Sequence, residues 1–149
     1  MTVPSEIDGA APVLAHHEIE IEAPLGEVWR LHTDVNTWTS WQKDITAASI
    51  EGAFEVGNSF RWSSYGLGVI STIYAISDHA RVLWGGTGAG ITGIHEWRFA
   101  ETPGGVRVTT DESFAGQPVE ADATTMQSML DASLVSWLDH LKQAAESRA

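Results

Sequence analysis

The sequence contains no cysteine. This absence excludes disulfide bonds, thiolate metal sites and cysteine nucleophiles. Basic residues are also scarce, because eight Lys and Arg stand against 20 Asp and Glu and give a formal net charge of −12. Binding to a phosphate backbone requires clustered Lys and Arg. The charge balance therefore argues against nucleic acid and against an anionic membrane surface as partners.

Long apolar runs are missing as well. No segment approaches the roughly 20 apolar residues that a membrane-spanning helix needs. The start of the chain has neither a basic region nor an uninterrupted apolar run, so it does not resemble a signal peptide. We therefore expect a cytoplasmic protein without membrane insertion. A chain of 149 residues, 43% of them hydrophobic, predicts one domain over residues 13–149 after a loose lead-in over residues 1–12.

Several motifs that mark enzymes are absent, namely G-x-S-x-G, G-x-x-x-x-G-K and G-x-G-x-x-G. The Gly-rich residues 85–90 lie between predicted strands and lack a following helix, so we interpret them as a flexible hairpin rather than a phosphate-binding loop. The six histidines lack the spacing of metal ligands, and the adjacent His16 and His17 point to opposite faces of a strand. We therefore expect neither a metal nor a cofactor.

The last part of the chain, residues 116–149, predicts a long amphipathic helix. Its apolar residues recur at intervals of three and four, which places them on one face. This face carries Met126, Leu130, Ser133, Leu134, Trp137, Leu138 and Leu141. A stripe of this width needs an equally broad apolar partner.

The chain before this helix predicts strands separated by turns. The alternation of Ile19 and Ile21 with glutamates indicates a first strand. Pro24 then suits the first turn of a short helix, and residues 34–41 predict a second short helical segment. Turn signals divide the rest into strands over residues 45–50, 59–64, 67–77, 81–85, 91–100 and 106–114. Short connections make these strands antiparallel, with the long helix across their apolar face.

The last two predicted strands are joined by a Pro-Gly-Gly turn. The predicted register pairs Ala100 with Gly105 and therefore sets His95 opposite Thr110. Directly opposed residues share a face of a sheet. Both apolar sets then lie on one face, and the same face carries Glu112.

The order of these segments resembles the START and pollen-allergen-like superfamily, also called SRPBCC. The segment HHEIEIEAPLGEVWRLHTDVNTWTSWQKDI carries the resemblance near the start, and later segments resemble the bacterial polyketide cyclase/dehydrase branch: VGNSFRW, RVLWGG, GIHEWRF, GGVRVTTDESFAG and SLVSWLDHLKQAAE. The resemblance covers residues 14–148. It implies an α+β helix-grip fold, in which a seven-stranded antiparallel sheet curves around the C-terminal helix after two short helices that follow the first strand. It also implies a cavity for a hydrophobic small molecule.

One feature of the related aromatase/cyclases has no match in the predicted strands. The resemblance implies an arginine inside the cavity, where it binds a polyketone chain. Arg61, Arg98 and Arg107 instead alternate away from the apolar residues, and the direction of Arg81 at the start of its strand is open. This departure weakens a direct transfer of the cyclase mechanism.

His95 and Glu112 are the candidate catalytic residues. A histidine on the cavity face can shuttle a proton near neutral pH, and a carboxyl group among Trp and Phe side chains should have a raised pKa. Structural alternatives stay open for both. His95 is equally well explained as a core histidine that Thr110 or the backbone satisfies, and Glu112 as a residue at the cavity mouth or an acceptor of buried hydrogen bonds.

The candidate ligand-binding residues are mostly large and apolar. Flat aromatic walls suit a ring or a polyene, and methionine adapts to an irregular ligand. The set comprises Trp62, Trp97, Phe99, Thr110, Met126, Met129 and Ser133. Ordinary core packing is the alternative for each of the aromatic residues. Trp38 and Trp41 are interpreted as attaching the short helices to the sheet rather than as gating a cavity.

Three hypotheses for function follow. In the first, the protein binds a polyketide-like intermediate, and His95 and Glu112 promote its cyclisation or dehydration. In the second, it carries or senses an apolar ligand without changing it. In the third, its interior is fully packed and its acidic surface recruits a basic protein. A monomer or homodimer is expected in each case.

Overall fold

The computed structural model describes residues 3–147. The outermost residues of the predicted lead-in and of the predicted last helix, 1–2 and 148–149, lie outside that range. The elements in chain order are β1 (Val13–Ile21), α1 (Leu25–Thr33), a 3-10 helix (Val35–Ser40), β2 (Ile45–Ile50), β3 (Ser59–Ser64), β4 (Leu67–Ser77), β5 (Arg81–Gly88), β6 (Ile91–Thr102), β7 (Gly105–Ala115), α2 (Gln117–Ala121) and α3 (Ala123–Ser147). Among the helices described here, none is long and apolar enough to cross a membrane.

The seven strands form one antiparallel sheet in the order β1-β7-β6-β5-β4-β3-β2. Strands β2 to β7 are neighbours both in sequence and in space, as short turns require, whereas β1 pairs with the last strand, β7. The sheet curves around the 25-residue helix α3. The predicted α+β class and helix-grip fold are confirmed.

The hairpin between β6 and β7 corrects the predicted register. Strand β6 runs two residues past its predicted end, and a two-residue Pro-Gly turn lets Thr102 pair with Gly105. His95 therefore lies opposite Glu112, and the predicted pairing with Thr110 is wrong. A shift by two residues keeps every side chain on its predicted face. It changes only which side chains meet, and it brings the two candidate catalytic residues together.

The Gly-rich residues 85–90 form the end of the predicted hairpin, and most of them belong to its first strand. Strand β5 continues to Gly88, and only Ala89 and Gly90 form the turn. A Cβ atom on Gly85 would collide with the carbonyl oxygen of Gly93, and one on Gly86 with that of Ile70. Glycine is needed here because neighbouring backbones approach too closely for a side chain.

The core between the sheet and the helices consists of two groups of side chains. The larger group combines aliphatic side chains with a set of rings whose centroids lie 4.6–6.5 Å from their neighbours, and we call these rings the aromatic cluster. Its members are His32, Trp38, Phe60, Trp62, Trp84, His95, Trp97, Phe99 and Trp137. The smaller group is aliphatic and packs the first half of α3 against β1, through Val13, Ala15, Val119, Leu130 and Leu134.

The lead-in makes contacts on the opposite face of the sheet. The backbone N–H of Asp8 donates to Oγ of Ser113 at 3.0 Å. Nη2 of Arg81 donates to the carbonyl oxygen of Ser5 at 2.7 Å. Ser113 and Glu96 are buried although both point away from α3. The outer face of β5, β6 and β7 is therefore partly covered as well.

Candidate active site

Two ionisable side chains meet on the face of the sheet that α3 covers. Strand β6 carries His95 and strand β7 carries Glu112, directly opposite each other. Nδ1 of His95 lies 3.3 Å from Oε1 of Glu112, and the two side chains are only 2% and 13% exposed. The alternation of each strand explains their shared face, and the observed register explains their contact.

Thr110 fixes the proton positions of His95. Its Oγ1 lies 2.6 Å from Nε2 of His95, and it donates to the backbone carbonyl oxygen of Glu96 at 3.2 Å. A hydroxyl group has one proton to donate, so Thr110 accepts its second hydrogen bond from Nε2–H. Nδ1 of the neutral imidazole then carries no proton, and it lies 3.3 Å from Oε1 of Glu112.

Burial keeps both members of the pair uncharged. It raises the pKa of Glu112 to about 8. It lowers the pKa of His95 well below the usual histidine value, and the nearby His32 lowers it further. A buried group favours its neutral form when no opposite charge compensates it. At neutral pH the site therefore holds a carboxylic acid in contact with an imidazole base.

Tryptophan rings surround the imidazole of His95. Its ring centroid lies 4.8 Å from that of Trp84, 4.9 Å from that of Trp97 and 5.7 Å from that of Trp137. Trp84 and Trp97 come from the sheet, whereas Trp137 comes from α3. The acid–base pair is thus enclosed by apolar walls from both layers of the fold.

The other predicted ligand-binding residues of the sheet lie in the same layer. Trp97 and Phe99 are buried in the aromatic cluster. Trp62 is half-buried, its ring contacts those of Trp84 and Trp137, and its Nε1 donates to Oγ of Ser71 at 3.0 Å. The structure therefore brings the sheet residues of the predicted set together.

The helix residues of the predicted set differ in how deeply they are buried. Met126 packs against the aliphatic group, and Ser133 is half-buried one turn before Trp137. Met129 is 57% exposed, so the structure does not bring it to His95 and Glu112. The next helical turns, which carry Leu134 and Trp137, provide the buried surface instead.

Sequence reasoning missed His32. This residue is completely buried at the end of α1, and burial lowers its pKa to about 3. Nε1 of Trp84 donates to its Nε2 at 3.3 Å. The signal was present in the sequence, because His32 follows Val28 by four residues and so lies on the same buried stripe of the helix.

Two shallow grooves, of about 490 and 550 Å³, lie on the surface of the part of the chain that the structure describes. The first follows the solvent side of α3 between Asp131 and Gln143, and the second lies on β2, β3 and β4. Neither groove is lined by His95 or Glu112. Because the aromatic cluster occupies the space beside the acid–base pair, a ligand can reach the pair only if some of these rings move.

Comparisons with known proteins agree with this architecture. Residues 13–146 match the family model described as polyketide cyclase / dehydrase and lipid transport. No functionally curated protein matches the sequence. A hypothetical protein from Helicobacter pylori superimposes with a TM-score of 0.80 at 19% identity, covering 97% of this chain and 99% of its own.

Two further solved structures carry more descriptive names. A START superfamily protein from Mycobacterium smegmatis gives a TM-score of 0.78 at 12% identity, over 91% of this chain and 99% of that protein. The di-domain ARO/CYC protein BexL, from the BE-7585A biosynthetic pathway, gives a TM-score of 0.72 at 15% identity, over 89% of this chain and 50% of BexL. At these identities the likeness establishes the fold.

Proposed function

Because the chain belongs to the polyketide cyclase / dehydrase and lipid transport family, we propose that it binds an apolar, polyketide-like molecule between the sheet and α3 and promotes its cyclisation or dehydration. His95 and Glu112 act as base and acid. The observation that carries this proposal is their direct contact, at 3.3 Å, inside a wall of tryptophan rings.

The pair can complete a dehydration without a cofactor. For a β-hydroxy ketone, Nδ1 of His95 takes a proton from the carbon between the two oxygen-bearing carbons. Glu112 gives its proton to the departing hydroxyl group, so that water leaves and a carbon–carbon double bond forms. His95 is then protonated and Glu112 is ionised, and one proton transfer from Nδ1 to the carboxylate restores both groups.

The unequal exposure of the two residues suggests how the substrate reaches them. Glu112 is 13% exposed and His95 only 2%, so the carboxyl group lies nearer to solvent. Glu112 also lies between the two groups of the core, because Val108 on its strand joins the larger group and Phe114 packs against the smaller one. A substrate that separates these groups meets the carboxyl group first.

The test uses a β-hydroxy ketone with a naphthyl substituent, because its dehydration gives a conjugated enone that absorbs in the near ultraviolet. We expect His95→Ala and Glu112→Gln each to abolish enone formation, measured at a temperature and pH at which circular dichroism shows each variant to be folded. Wild-type turnover should fall above about pH 8, where Glu112 loses its proton. Unchanged turnover in both variants would reject the assignment.

Carriage or sensing of an apolar ligand is the second candidate function. The matched family includes lipid transport in its description, and an apolar interior serves a carrier equally well. Native mass spectrometry of the freshly purified protein tests this alternative by identifying a copurified molecule. A compound that is released chemically unaltered after prolonged incubation favours the carrier, whereas conversion of the naphthyl β-hydroxy ketone favours the enzyme.

A further inference from the structure

Three neighbouring rings of the aromatic cluster have a buried ring nitrogen without a hydrogen-bond partner in the described part of the chain. These atoms are Nδ1 of His32, Nε1 of Trp97 and Nε1 of Trp137, and the side chains belong to α1, β6 and α3. The ring centroids of His32 and Trp97 are 4.6 Å apart, and those of Trp97 and Trp137 are 5.3 Å apart. We call these three residues the donor group.

All three nitrogens are hydrogen-bond donors. An indole N–H can only donate. His32 is neutral because burial lowers its pKa to about 3, and its Nε2 accepts from Trp84, so its proton is on Nδ1. A buried donor without an acceptor destabilises the folded state. An acceptor that reaches between these rings would remove part of that penalty by pairing with one or two of the donors.

We propose that the donor group binds a carbonyl oxygen of the ligand and thereby determines specificity. This inference rests on the proposed function, since it assigns a role to further residues of the same interior. A carbonyl oxygen has two lone pairs and no hydrogen, so it fits a site that only donates. A hydroxyl group also accepts, but its own hydrogen finds no acceptor in the donor group.

The position of the donor group gives it a role in the reaction. The ring of His95 lies 4.9 Å from that of Trp97 and 5.7 Å from that of Trp137. A carbonyl group held by these indoles therefore lies close to the base. Hydrogen bonds to a carbonyl oxygen stabilise the negative charge that develops there when a neighbouring carbon loses its proton. His32 and the two tryptophans are thus assigned to orient and polarise the substrate.

The test compares three probes of nearly the same shape: indane, 1-indanol and 1-indanone. Binding is followed through the indole N–H signals of the seven tryptophans in nitrogen-15 NMR spectra. We expect the ketone to bind about tenfold more tightly than the hydrocarbon, with the alcohol between them. Only the ketone should move the N–H signals of Trp97 and Trp137 strongly downfield.

Variants then separate the donor group from general packing. Trp97→Phe and His32→Leu each remove one donor, and we expect either to reduce the preference for the ketone about threefold or more. Trp29→Phe is the matched control, because this half-buried tryptophan lies outside the donor group, and it should leave the preference unchanged. If a core variant fails to fold, the shifts of the wild-type indole N–H signals on ketone binding still test the inference.

The outcomes distinguish this inference from the proposed function. Equal affinities of indane and 1-indanone, or unmoved N–H signals on ketone binding, would overturn the inference and leave apolar binding intact. Such a result would mean that ring faces or water satisfy the donors. Failure of all three probes to bind would overturn the proposed function and the inference with it.

Discussion

Glu96 and Glu112 lie on neighbouring strands and are almost equally buried, with 10% and 13% of their side chains exposed. Burial by itself raises the pKa of Glu96, but hydrogen bonds and charge from Arg98 and Arg81 more than offset it and leave that pKa lowered. Burial raises the pKa of Glu112 to about 8. Glu112 faces a neutral histidine instead of a cation, so no opposite charge offsets the effect of its burial.

The two faces of the sheet differ in the same way. The outer face of β5 and β6 holds a charged group in which Nε of Arg81 lies 2.6 Å from Glu96 and Nε of Arg98 lies 2.9 Å from it. One residue away, the inner face holds the neutral side chain of His95. Alternation along β6 therefore separates an ionic layer from an uncharged one. Among residues 3–147 no arginine points into the inner layer, so the polar groups that this layer offers to a ligand are neutral.

The largest expected effect concerns Glu112→Gln and the pH dependence of stability. The unfolded chain ionises this carboxyl group above about pH 4.5, whereas the folded protein keeps it protonated up to about pH 8. Stability is therefore lost as the pH rises across this window. Gln stays neutral at every pH. We therefore expect the variant and the wild type to have the same free energy of unfolding at the acid end, and the variant to be more stable by on the order of 4 kcal/mol above the window.

Urea denaturation across this pH range measures the difference between the two proteins. Other titrating groups contribute equally to both and cancel. A difference that does not change with pH would show that Glu112 ionises normally in the folded protein, and it would remove the contrast with Glu96.

A second prediction removes the cations on the outer face. In the double variant Arg81→Met/Arg98→Met, Glu96 remains buried without a positive partner, and we expect a loss of about 3 kcal/mol in the free energy of unfolding at neutral pH. Adding Glu96→Gln to the double variant should restore most of that loss, because no buried charge is left. Equal stabilities of the double and triple variants would show that the arginines act through packing alone.

A third and smaller effect is expected at Thr110. Thr110→Val removes the hydroxyl group that accepts from Nε2 of His95, so the buried N–H loses its partner, at a cost of about 2 kcal/mol. Thr109→Val is the control, because it lies on the same strand but faces outward, and it should change stability by less than about 0.5 kcal/mol. If the two variants have the same stability, Thr110 does not hold the proton of His95.

The sequence predicts the strands and the face on which each residue lies better than it predicts which side chains meet. Alternation in Ile91–Thr102 and Gly105–Ala115 places His95 and Glu112 on one face, because the period of a strand fixes which side each residue faces. Their pairing depends on where the turn closes, and a two-residue difference preserves the faces while changing the partner. Periodicity alone is insensitive to such a shift.

His32 and the Gly-rich strand show what sequence patterns leave open. His32 lies on the buried stripe of α1, but its neighbour Trp84 is 52 residues away, and no local pattern reveals that contact. Gly85 and Gly86 look like a turn because glycine favours turns. Here glycine is required by the close approach of β5 to its neighbours, which depends on the tertiary structure of the sheet.

The central claim is that Glu112 carries a proton beside a neutral His95 at neutral pH. Carbon-13 NMR of the glutamate side-chain carboxyl groups, with Glu112→Gln to assign the signal, measures its titration directly. A midpoint near pH 8 agrees with the pKa that burial gives this group, and the Glu96 signal should titrate below the usual range. A Glu112 midpoint at or below 4.5, the ordinary value for this group, would instead indicate an ion pair with protonated His95 and would contradict the account.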